Sequence, residues 1–311
     1  MRHVNSKSTL SAFVLAALQL GAVVCAAQQN NAHTALDLVI ANLMAGKPGA
    51  VVVLDAASGK VLAQWNLKVA AQRVTAPGST VKPFVLLELL QAGKIDPEQR
   101  LICRRPLTIA GRRMDCTHSP AITNLDAADA IAYSCNSYFA QVAGRLSPAE
   151  LAKAFERAGF TSRTEFAADE ATGRVMAAAD EPHLQLQALG YWGVEVTPLE
   201  LLAAYRTLAL HKLKNDLPAA PVFAGLERSV QYGMAHTDAA QPIGITAAGK
   251  TGTAAGSTTA QTHGFFLGYA PADKPEMVLM VYLEHGRGGH AAAIAAPIFT
   301  AYGKASHGAA K

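Results

Sequence analysis

Ser79 and Lys82, three residues apart in the letters PGSTVKP, are the side chains best suited to covalent chemistry. Helical periodicity begins at Ser79, and side chains three apart on a helix share a face. A serine hydroxyl becomes nucleophilic when a neighbouring base takes its proton, and burial lowers the pKa of a lysine so that it can be that base. The pair alone is a weak signal, because this spacing more often gives a helix cap and a solvated lysine.

Ser134 and Asn136, in the letters YSCN, form a second polar pair within a segment of helical character. Ser134 could pass a proton between Lys82 and a leaving group, and Asn136 could hold a substrate amide. Ser-x-Asn by itself carries almost no information, so its value comes from its place after Ser79.

The letters KTGT at residues 250–253 supply a third set. In a strand, Lys250 and Gly252 point to the opposite side from Thr251 and Thr253. Lys250 could add positive charge to a pocket, and the two threonine hydroxyls could bind a carboxylate. Gly252, which has no side chain, could let a substrate approach the backbone closely.

The same letters complete a nucleotide-binding pattern, which is the competing interpretation. Residues 244–251, GITAAGKT, fit G-x-x-x-x-G-K-[ST], a motif that needs a buried strand before it and a helix after it. The preceding letters HTDAAQP have no strand pattern, and the glycines that follow disfavour a helix. We therefore expect a strand at Lys250 and no nucleotide.

Strand-like runs lie near both ends of the chain, and helical periodicity occupies the middle. The predicted strands are 51–55 and 61–65, which form a hairpin, and 250–253, 264–269 and 277–284. The predicted helices are 79–93, 127–133, 136–145, 148–158, 197–211 and 290–302. The hairpin can bury its apolar faces only by joining the later strands, which predicts one antiparallel sheet interrupted by a helical insertion.

The N-terminus has the pattern of an export signal. Arg2 and Lys7 precede an apolar run over residues 10–27 that ends in small residues, which predicts a signal peptide over residues 1–27. An uncleaved anchor is the alternative, because this run of 18 residues is just long enough to span a membrane. We expect an exported protein, periplasmic or on the outer face of the cytoplasmic membrane, with possible N-terminal membrane association.

Charge and cysteine content limit the partners. The formal net charge is +4, and no basic run with interleaved aromatic residues occurs, so we expect no nucleic-acid partner. Cys103 and Cys116 could form a disulfide in an oxidising compartment, with free thiols as the alternative. The spacing of cysteine and histidine resembles no zinc site, so no metal is expected.

In their order along the chain, the three motifs resemble those of the penicillin-binding transpeptidase family, within the wider group of serine β-lactamases and D-alanyl-D-alanine peptidases. The resemblance extends to AYSCNSYF around Ser134, to the TPL stretch at residues 196–205 and to HGFFLGYAP at residues 263–271. It covers roughly residues 50–303. It implies an α/β fold in which helices flank an antiparallel sheet and an all-helical subdomain is inserted, here at roughly 94–190 within a domain over residues 28–311.

The resemblance implies that Ser79 is acylated and that Lys82 is its general base. Ser134 and Asn136 would assist proton transfer and substrate binding. The reaction would be acyl transfer on peptidoglycan stem peptides ending in D-Ala-D-Ala, with covalent binding of β-lactam antibiotics. It implies no metal or organic cofactor.

On the third motif, the resemblance implies that Lys250, Thr251 and Thr253 hold the carboxylate of the peptide or of the β-lactam, with Gly252 between them. The backbone N–H groups of Ser79 and Thr253 would form the oxyanion hole.

Other outcomes remain open at the level of sequence. Only 51 residues separate Gln28 from Ser79, so we expect no N-terminal module, and a stand-alone carboxypeptidase that uses water is one alternative to a transpeptidase. A β-lactamase would need a further base for deacylation; residues 165–170 offer carboxylates but do not match E-x-x-L-N. A β-lactam sensor or cell-wall binding module without turnover is the non-enzymatic alternative.

Overall fold

Five antiparallel strands, drawn from both ends of the chain, form the central sheet. The computed structural model describes residues 35–236, 241–255 and 261–307, so the predicted signal peptide lies outside the described residues. The helices are α1 (35–44), α2 (Leu67–Gln72), α3 (Lys82–Gln91), α4 (Ala127–Ala132), α5 (Asn136–Ala143), α6 (Pro148–Arg157), α7 (Glu181–Ala188), α8 (Pro198–Leu213), α9 (Ala220–Gln231) and α10 (Gly288–His307). The strands are β1 (Gly49–Asp55), β2 (Val61–Trp65), β3 (Leu101–Ile102), β4 (Thr108–Ile109), β5 (Arg112–Arg113), β6 (Asn124–Leu125), β7 (Arg174–Val175), β8 (Val194–Glu195), β9 (Ala248–Ala255), β10 (Thr262–Ala270) and β11 (Met277–Leu283).

The sheet has the order β2–β1–β11–β10–β9, so the N-terminal hairpin and the C-terminal strands share it. Val52 lies opposite Met280 across β1 and β11, and Leu267 lies opposite Lys250 across β10 and β9. The predicted joining of early and late strands is confirmed. Lys250 lies on a strand, so the interpretation of these letters as a nucleotide-binding loop is wrong.

Both faces of the sheet are covered by helices. Side chains alternate along β1, so Val52 and Leu54 join the core cluster that includes α8, whereas Val51 and Val53 join the cluster that includes α1 and α10. Because both faces are buried, β1 is apolar at consecutive positions and not at alternate ones.

The helix that follows Ser79 runs through the larger of these two clusters. A short 3-10 turn at Gly78–Val81 leads into α3, whose Val85, Leu86 and Leu89 are fully buried. Pro83 lies in the first turn of α3, where its missing N–H removes no helical hydrogen bond. Burial of α3 therefore fixes the base of the turn that carries Ser79.

α8 supports the same turn from below. A capping box begins α8: Thr197 Oγ1 accepts from Glu200 N at 3.1 Å, and Glu200 Oε2 accepts from Thr197 N at 2.7 Å. One face of α8 brings Tyr205 under the turn, where its hydroxyl donates to Thr80 O at 2.9 Å. The backbone next to Ser79 is thus tied to a well-capped helix.

α1, α2, α7 and α9 were not predicted from the sequence. α7 lies within residues 160–190, where the weak patterning predicts little regular structure. α7 packs on α5, and its buried i, i+3 and i+4 positions are Leu184, Gln187 and Ala188, so a polar and a small residue hide the stripe in the sequence. In α9, Gly225 packs so close to α4 that a Cβ would lie 2.5 Å from Ile131 Cβ. α9 does bury an amphipathic stripe of Val222, Leu226 and Val230 at i, i+4 and i+8, so its letters were sufficient to predict it.

Residues 94–125, at the start of the insertion that the resemblance implies, carry two-residue strands and no helix. β3 pairs with β6, and β4 pairs with β5. Within the part of the chain that the structure describes, no helix combines the length and apolar character needed to cross a bilayer.

Candidate active site

Gly78 allows the serine-bearing turn to lie directly against β9. Its φ of +55° is in the left-handed region, and its N–H donates to Gly190 O at 3.0 Å. A Cβ at this position would lie 2.7 Å from Thr253 O. The turn therefore places Ser79 beside the strand that carries KTGT.

We expect Gly78→Ala to slow acylation of Ser79 by about tenfold to a hundredfold, because the added methyl has to move the turn away from Thr253. Gly93→Ala is the matched control, since Gly93 has a φ of +63° but nothing within 4 Å of its Cβ position. Both variants carry backbone strain on the order of 1 kcal/mol, and only one carries the collision. Acylation rates and thermal unfolding separate the two effects. Equal acylation rates in the two variants would contradict this placement of the turn.

Lys82 joins the first two motifs. Its side chain is fully buried, and Nζ donates to Ser134 O at 2.8 Å, to Ser134 Oγ at 3.2 Å and to Asn136 Oδ1 at 2.6 Å. Among the described residues, Ser79 Oγ has no hydrogen-bond partner; in unliganded enzymes the contact between a nucleophile and its base commonly tightens only when substrate binds. The structure thus brings three of the predicted site residues, Lys82, Ser134 and Asn136, into one network and leaves Ser79 facing the cavity above it.

Burial lowers the pKa of Lys82 to about 8, against the opposing effect of the Cys135 and Cys116 thiols. At neutral pH the neutral fraction of such an amine is roughly two orders of magnitude larger than that of an exposed lysine. A neutral amine has a lone pair that can accept the Ser79 proton, so Lys82 is suited to be the general base.

We expect the rate of acylation to rise with pH through about 8 and to level off above it, because only neutral Lys82 can accept the proton. The sign follows from the direction of the shift: burial favours the neutral form, and higher pH populates it further. The measurement is the acylation rate by a β-lactam from about pH 6 to about pH 10. A flat or falling profile over this range would contradict the role of Lys82 as the base.

Ser134 lies at a strained position in the short connection between α4 and α5. Its φ is +53°, which is uncommon for a side chain other than glycine. Its N–H donates to Ile131 O at 3.1 Å. Asn136 begins α5, and its Nδ2 donates to Met114 O at 3.0 Å, which leaves Oδ1 free to accept from Lys82. These backbone contacts hold both side chains against the lysine.

Lys250 lies on the inner side of β9. It is fully buried, and its Nζ donates to Thr251 O at 3.0 Å. Burial, with the charge of Lys82 as a smaller cause, lowers the pKa of Lys250 well below its usual range. Because side chains alternate along the strand, Thr251 and Thr253 line the cavity and Lys250 does not, which differs from the expected direct contact with a carboxylate.

Gly252 faces the serine turn. A Cβ there would lie 2.6 Å from Thr80 Cγ2 and 2.9 Å from Pro77 O. The glycine is therefore needed for close packing of β9 on the turn, a different reason from the substrate approach that the sequence suggested.

A cavity of about 480 Å³ opens over Ser79. The predicted residues that line it are Ser79, Ser134, Asn136, Thr251 and Thr253. The other three predicted residues, Lys82, Lys250 and Gly252, lie behind the wall of this cavity.

Sequence reasoning missed several residues that complete this cavity. Tyr191 donates its hydroxyl hydrogen to Thr253 O at 2.7 Å, and Gly288 N donates to Thr253 Oγ1 at 2.9 Å. Arg287, just before α10, is exposed and lines the cavity. It therefore supplies the positively charged side chain that was expected of Lys250 from the sequence. No local pattern marks these positions, because tertiary contacts bring them to Thr253.

A second cavity of about 530 Å³ adjoins the first, with Tyr191 in the lining of both. Its lining includes Trp192 and two arginines, Arg112 and Arg174. None of the predicted catalytic residues lines it, so we place the chemistry in the cavity over Ser79.

The predicted disulfide between Cys103 and Cys116 is not formed. The two residues are free thiols whose Sγ atoms lie 3.6 Å apart, whereas a disulfide bond is roughly 2.0 Å long. Cys135 Sγ lies equally close to Cys116 Sγ, at 3.6 Å, and His118 completes the group. The physical reason for the difference is that three thiols converge, so no single pair is favoured.

A serine above a buried lysine, beside a strand lined with hydroxyl groups, defines the cleft of a serine acyl-transfer enzyme. The chain belongs to the penicillin-binding protein family: the family described as "Penicillin binding protein transpeptidase domain" matches residues 49–302, which include all three motifs.

Alignments with relatives of this family cover most of the chain. The "Probable peptidoglycan D,D-transpeptidase PenA" of Neisseria flavescens is 25% identical over 296 residues, which cover 81% of this chain and 73% of that protein. The protein of the same name from Neisseria gonorrhoeae is 25% identical over 298 residues, and the chain spans only 50% of its length. The structure of the TP domain from Burkholderia pseudomallei penicillin-binding protein 3 has a TM-score of 0.75 at 21% identity and covers 91% of this chain and 94% of that one. The predicted fold class is confirmed.

Proposed function

We propose that the protein is a D,D-acyltransferase that forms an acyl-enzyme at Ser79, with the D-Ala-D-Ala ends of peptidoglycan stem peptides as substrates and β-lactams as covalent inhibitors. The observation that carries the proposal is the fully buried Lys82, with its pKa near 8, bonded to Ser134 and Asn136 under the cavity over Ser79. The names of the relatives, which are peptidoglycan D,D-transpeptidases, support the substrate class.

Acylation begins with proton transfer from Ser79 Oγ to neutral Lys82 Nζ, while Oγ attacks the carbonyl carbon of the penultimate D-Ala. Ser134 Oγ, 3.2 Å from Nζ, passes the proton onward to the departing nitrogen. The peptide bond breaks, the terminal D-Ala leaves as a neutral amine, and Lys82 is again neutral. A β-lactam follows the same path, except that its nitrogen stays attached through the ring.

The oxyanion formed in this step lies between the turn and β9. The proposed donors are the backbone N–H groups of Ser79 and Thr253, which close packing at Gly78 and Gly252 brings together. β9 is the edge strand of the sheet, so N–H groups on its outer side have no strand to pair with. The hydroxyls of Thr251 and Thr253, with the Arg287 guanidinium, line the region proposed for the substrate carboxylate.

The choice between a penicillin-binding enzyme and a β-lactamase depends on the base for deacylation. Among the described residues that line the cavity, Asp115 is the one carboxylate. A hydrogen bond from Leu107 N, with help from Arg113, lowers the pKa of Asp115, which makes it a weak base. Glu170 accepts hydrogen bonds from Thr164 N and Ala167 N in a loop elsewhere. These observations favour a long-lived acyl-enzyme over rapid hydrolysis.

The deciding experiment follows the intact mass of the protein for hours after mixing with benzylpenicillin. A lasting adduct that maps to Ser79 supports the proposal, and assays with stem peptides, with and without an amine acceptor, then separate transpeptidase from carboxypeptidase. Loss of the adduct within seconds, with hydrolysis of the drug, would indicate a β-lactamase. Unmodified protein with intact drug would refute the catalytic assignment.

The proposed substrate determines the compartment. Peptidoglycan stem peptides are displayed outside the cytoplasm, and the apolar run at residues 10–27 is consistent with export. We therefore infer a periplasmic or membrane-associated enzyme on the outer face of the cytoplasmic membrane. Protease protection in spheroplasts tests this location independently of activity.

A further inference from the structure

We propose that Cys103, Cys116, His118 and Cys135 form a zinc site built into the wall of the cleft. The three Sγ atoms and a ring nitrogen all lie within 4.8 Å of one another. Cys116 Sγ is 3.6 Å from both other Sγ atoms, and His118 Nε2 is 3.7 Å from Cys103 Sγ. With Zn–S near 2.3 Å and Zn–N near 2.0 Å, the ligand atoms of a tetrahedral site stand roughly 3.5–3.8 Å apart. These three separations match the edges of such a tetrahedron, and the other three ligand–ligand distances lie within 4.8 Å.

The chemistry of the four ligands selects a structural zinc site. Cys135, Cys116 and His118 are buried and Cys103 is half-buried, so little room remains for a water ligand. Three thiolates and one imidazole form a complete tetrahedral set of the kind that holds structural zinc. Soft sulfur ligands disfavour magnesium and calcium, which prefer oxygen.

Backbone N–H groups already point at two of the sulfurs. Ser137 N donates to Cys116 Sγ at 3.4 Å, and Tyr138 N donates to Cys135 Sγ at 3.4 Å. Such bonds stabilise negative charge on sulfur, as a thiolate ligand requires. The first turn of α5 is therefore arranged around these sulfur atoms.

The histidine and one arginine complete the surroundings. His118 Nδ1 lies 3.1 Å from Ser119 O, so the ring can keep its proton there and offer Nε2 to the ion. Zinc with three thiolates has a net charge of −1, and Arg105, whose Nε lies 3.4 Å from Cys103 Sγ, can balance it. Arg105 Nη2 lies 2.8 Å from His118 Nδ1 and 3.2 Å from His118 Nε2 in this structure, and we expect the guanidinium to turn from the ring toward the thiolates when the ion binds.

The proposed site lies directly behind the catalytic network. Cys135 is the residue between Ser134 and Asn136, which both contact Lys82 Nζ. Cys116 lies between Asp115 and Thr117 in the chain, and both of these line the cavity over Ser79. A bound ion would tie this loop to the start of α5, so we assign it a positioning role for Ser134 and Asn136 and no part in the chemical step.

The first test is the metal content of the full chain, purified after export without chelators, with its thiols counted after denaturation. We expect about one zinc ion per chain and reduced Cys103, Cys116 and Cys135. Cobalt(II) added to metal-free protein is expected to give the intense absorption of a tetrahedral thiolate site. Failure to bind zinc, absence of that spectrum, or a mapped disulfide between any two of the three cysteines would overturn the proposal.

The second test uses variants that remove a ligand. His118→Ala and Cys103→Ser are each expected to weaken zinc binding by about tenfold or more and to abolish the rise in Tm that added zinc gives the wild-type chain. His211→Ala is the matched control. His211 lies in α8, and its ring contacts Asp216, which follows that helix, away from the cluster. Equal zinc affinity in the control and in the ligand variants would refute the assignment of the zinc ligands. If the ligand variants do not fold, the zinc and cobalt measurements on the wild-type chain still decide.

The positioning role proposed for the zinc ion is tested by the rate of acylation. Metal-free wild-type protein is expected to react with benzylpenicillin more slowly than the zinc-loaded form, with recovery when zinc is restored. An unchanged rate would contradict the proposal that the ion positions Ser134 and Asn136. Zinc content does not depend on acylation, so the site and the proposed enzymatic function can fail separately.

Discussion

Ser79→Ala is expected to abolish covalent labelling by benzylpenicillin and to leave the fold intact. Ser79 lines the cavity, and in the described parts of the chain its Oγ makes no hydrogen bond, so the substitution removes the proposed nucleophile without breaking a stabilising contact. The turn around it is held by backbone groups instead: Gly78 N donates to Gly190 O, and Thr80 O accepts from Tyr205. The loss should therefore be nearly complete in labelling and small in stability.

Intact-protein mass after incubation with the drug measures the labelling, and thermal unfolding measures the fold. Ser58→Ala is the control, since Ser58 is an exposed serine in the turn between β1 and β2, where its Oγ bonds to Asp55. The control should label like the wild-type chain. Full labelling of Ser79→Ala, whether on Ser134 or elsewhere by peptide mapping, would refute the assignment of the nucleophile.

The parts of the site that the sequence predicted are those carried by short-range geometry. Ser79 and Lys82 lie one helical turn apart by spacing alone, and burial of α3 was visible in its apolar residues. Alternation along KTGT correctly separated Thr251 and Thr253 from Lys250. The antiparallel sheet followed from the need of the hairpin at residues 51–65 to bury both faces.

The parts that the sequence did not predict depend on contacts between distant segments. Tyr191, in a loop, and Gly288, the first residue of α10, contact Thr253 from segments that carry no motif, and Arg287 joins them from the position before α10. The reason for Gly252 was also hidden, because the space it leaves is filled by Thr80 from another element. α7 was missed because a glutamine and an alanine occupy two of its buried positions, whereas the apolar stripe of α9 was present in the sequence and was overlooked.

The cysteines illustrate the same limit. Cys103, Cys116 and His118 are close in sequence, but Cys135 belongs to a motif that was interpreted through its flanking Ser134 and Asn136. A pair of cysteines in a loop suggests a disulfide until the third thiol is seen 3.6 Å from Cys116. Linear spacing therefore predicted a bond between two residues where the fold gathers three thiols and an imidazole.

Lys82→Ala is expected to slow acylation of Ser79 by about two to four orders of magnitude, the usual contribution of a general base. The substitution also leaves Ser134 O and Asn136 Oδ1 without their donor, so some loss of stability accompanies it. Lys82→Arg separates charge from basicity: a guanidinium stays protonated, so it can satisfy these acceptors but cannot take the Ser79 proton.

A base and a structural lysine predict different behaviour in these variants. If Lys82 is the base, both substitutions slow acylation by similar factors, and both remove the rise in rate through about pH 8 that its lowered pKa gives the wild-type chain. If Lys82 only holds Ser134 and Asn136 in place, Lys82→Arg should keep most of the rate, and the pH profile of the slower variant should keep its shape. Acylation rates by intact mass across this pH range, with Tm for each variant, distinguish the two. Within the described chain, the Lys82 amine is the only group in the cleft that links Ser134 to Asn136 and has its pKa lowered to near 8. We therefore expect both variants to lose the rate and its rise with pH.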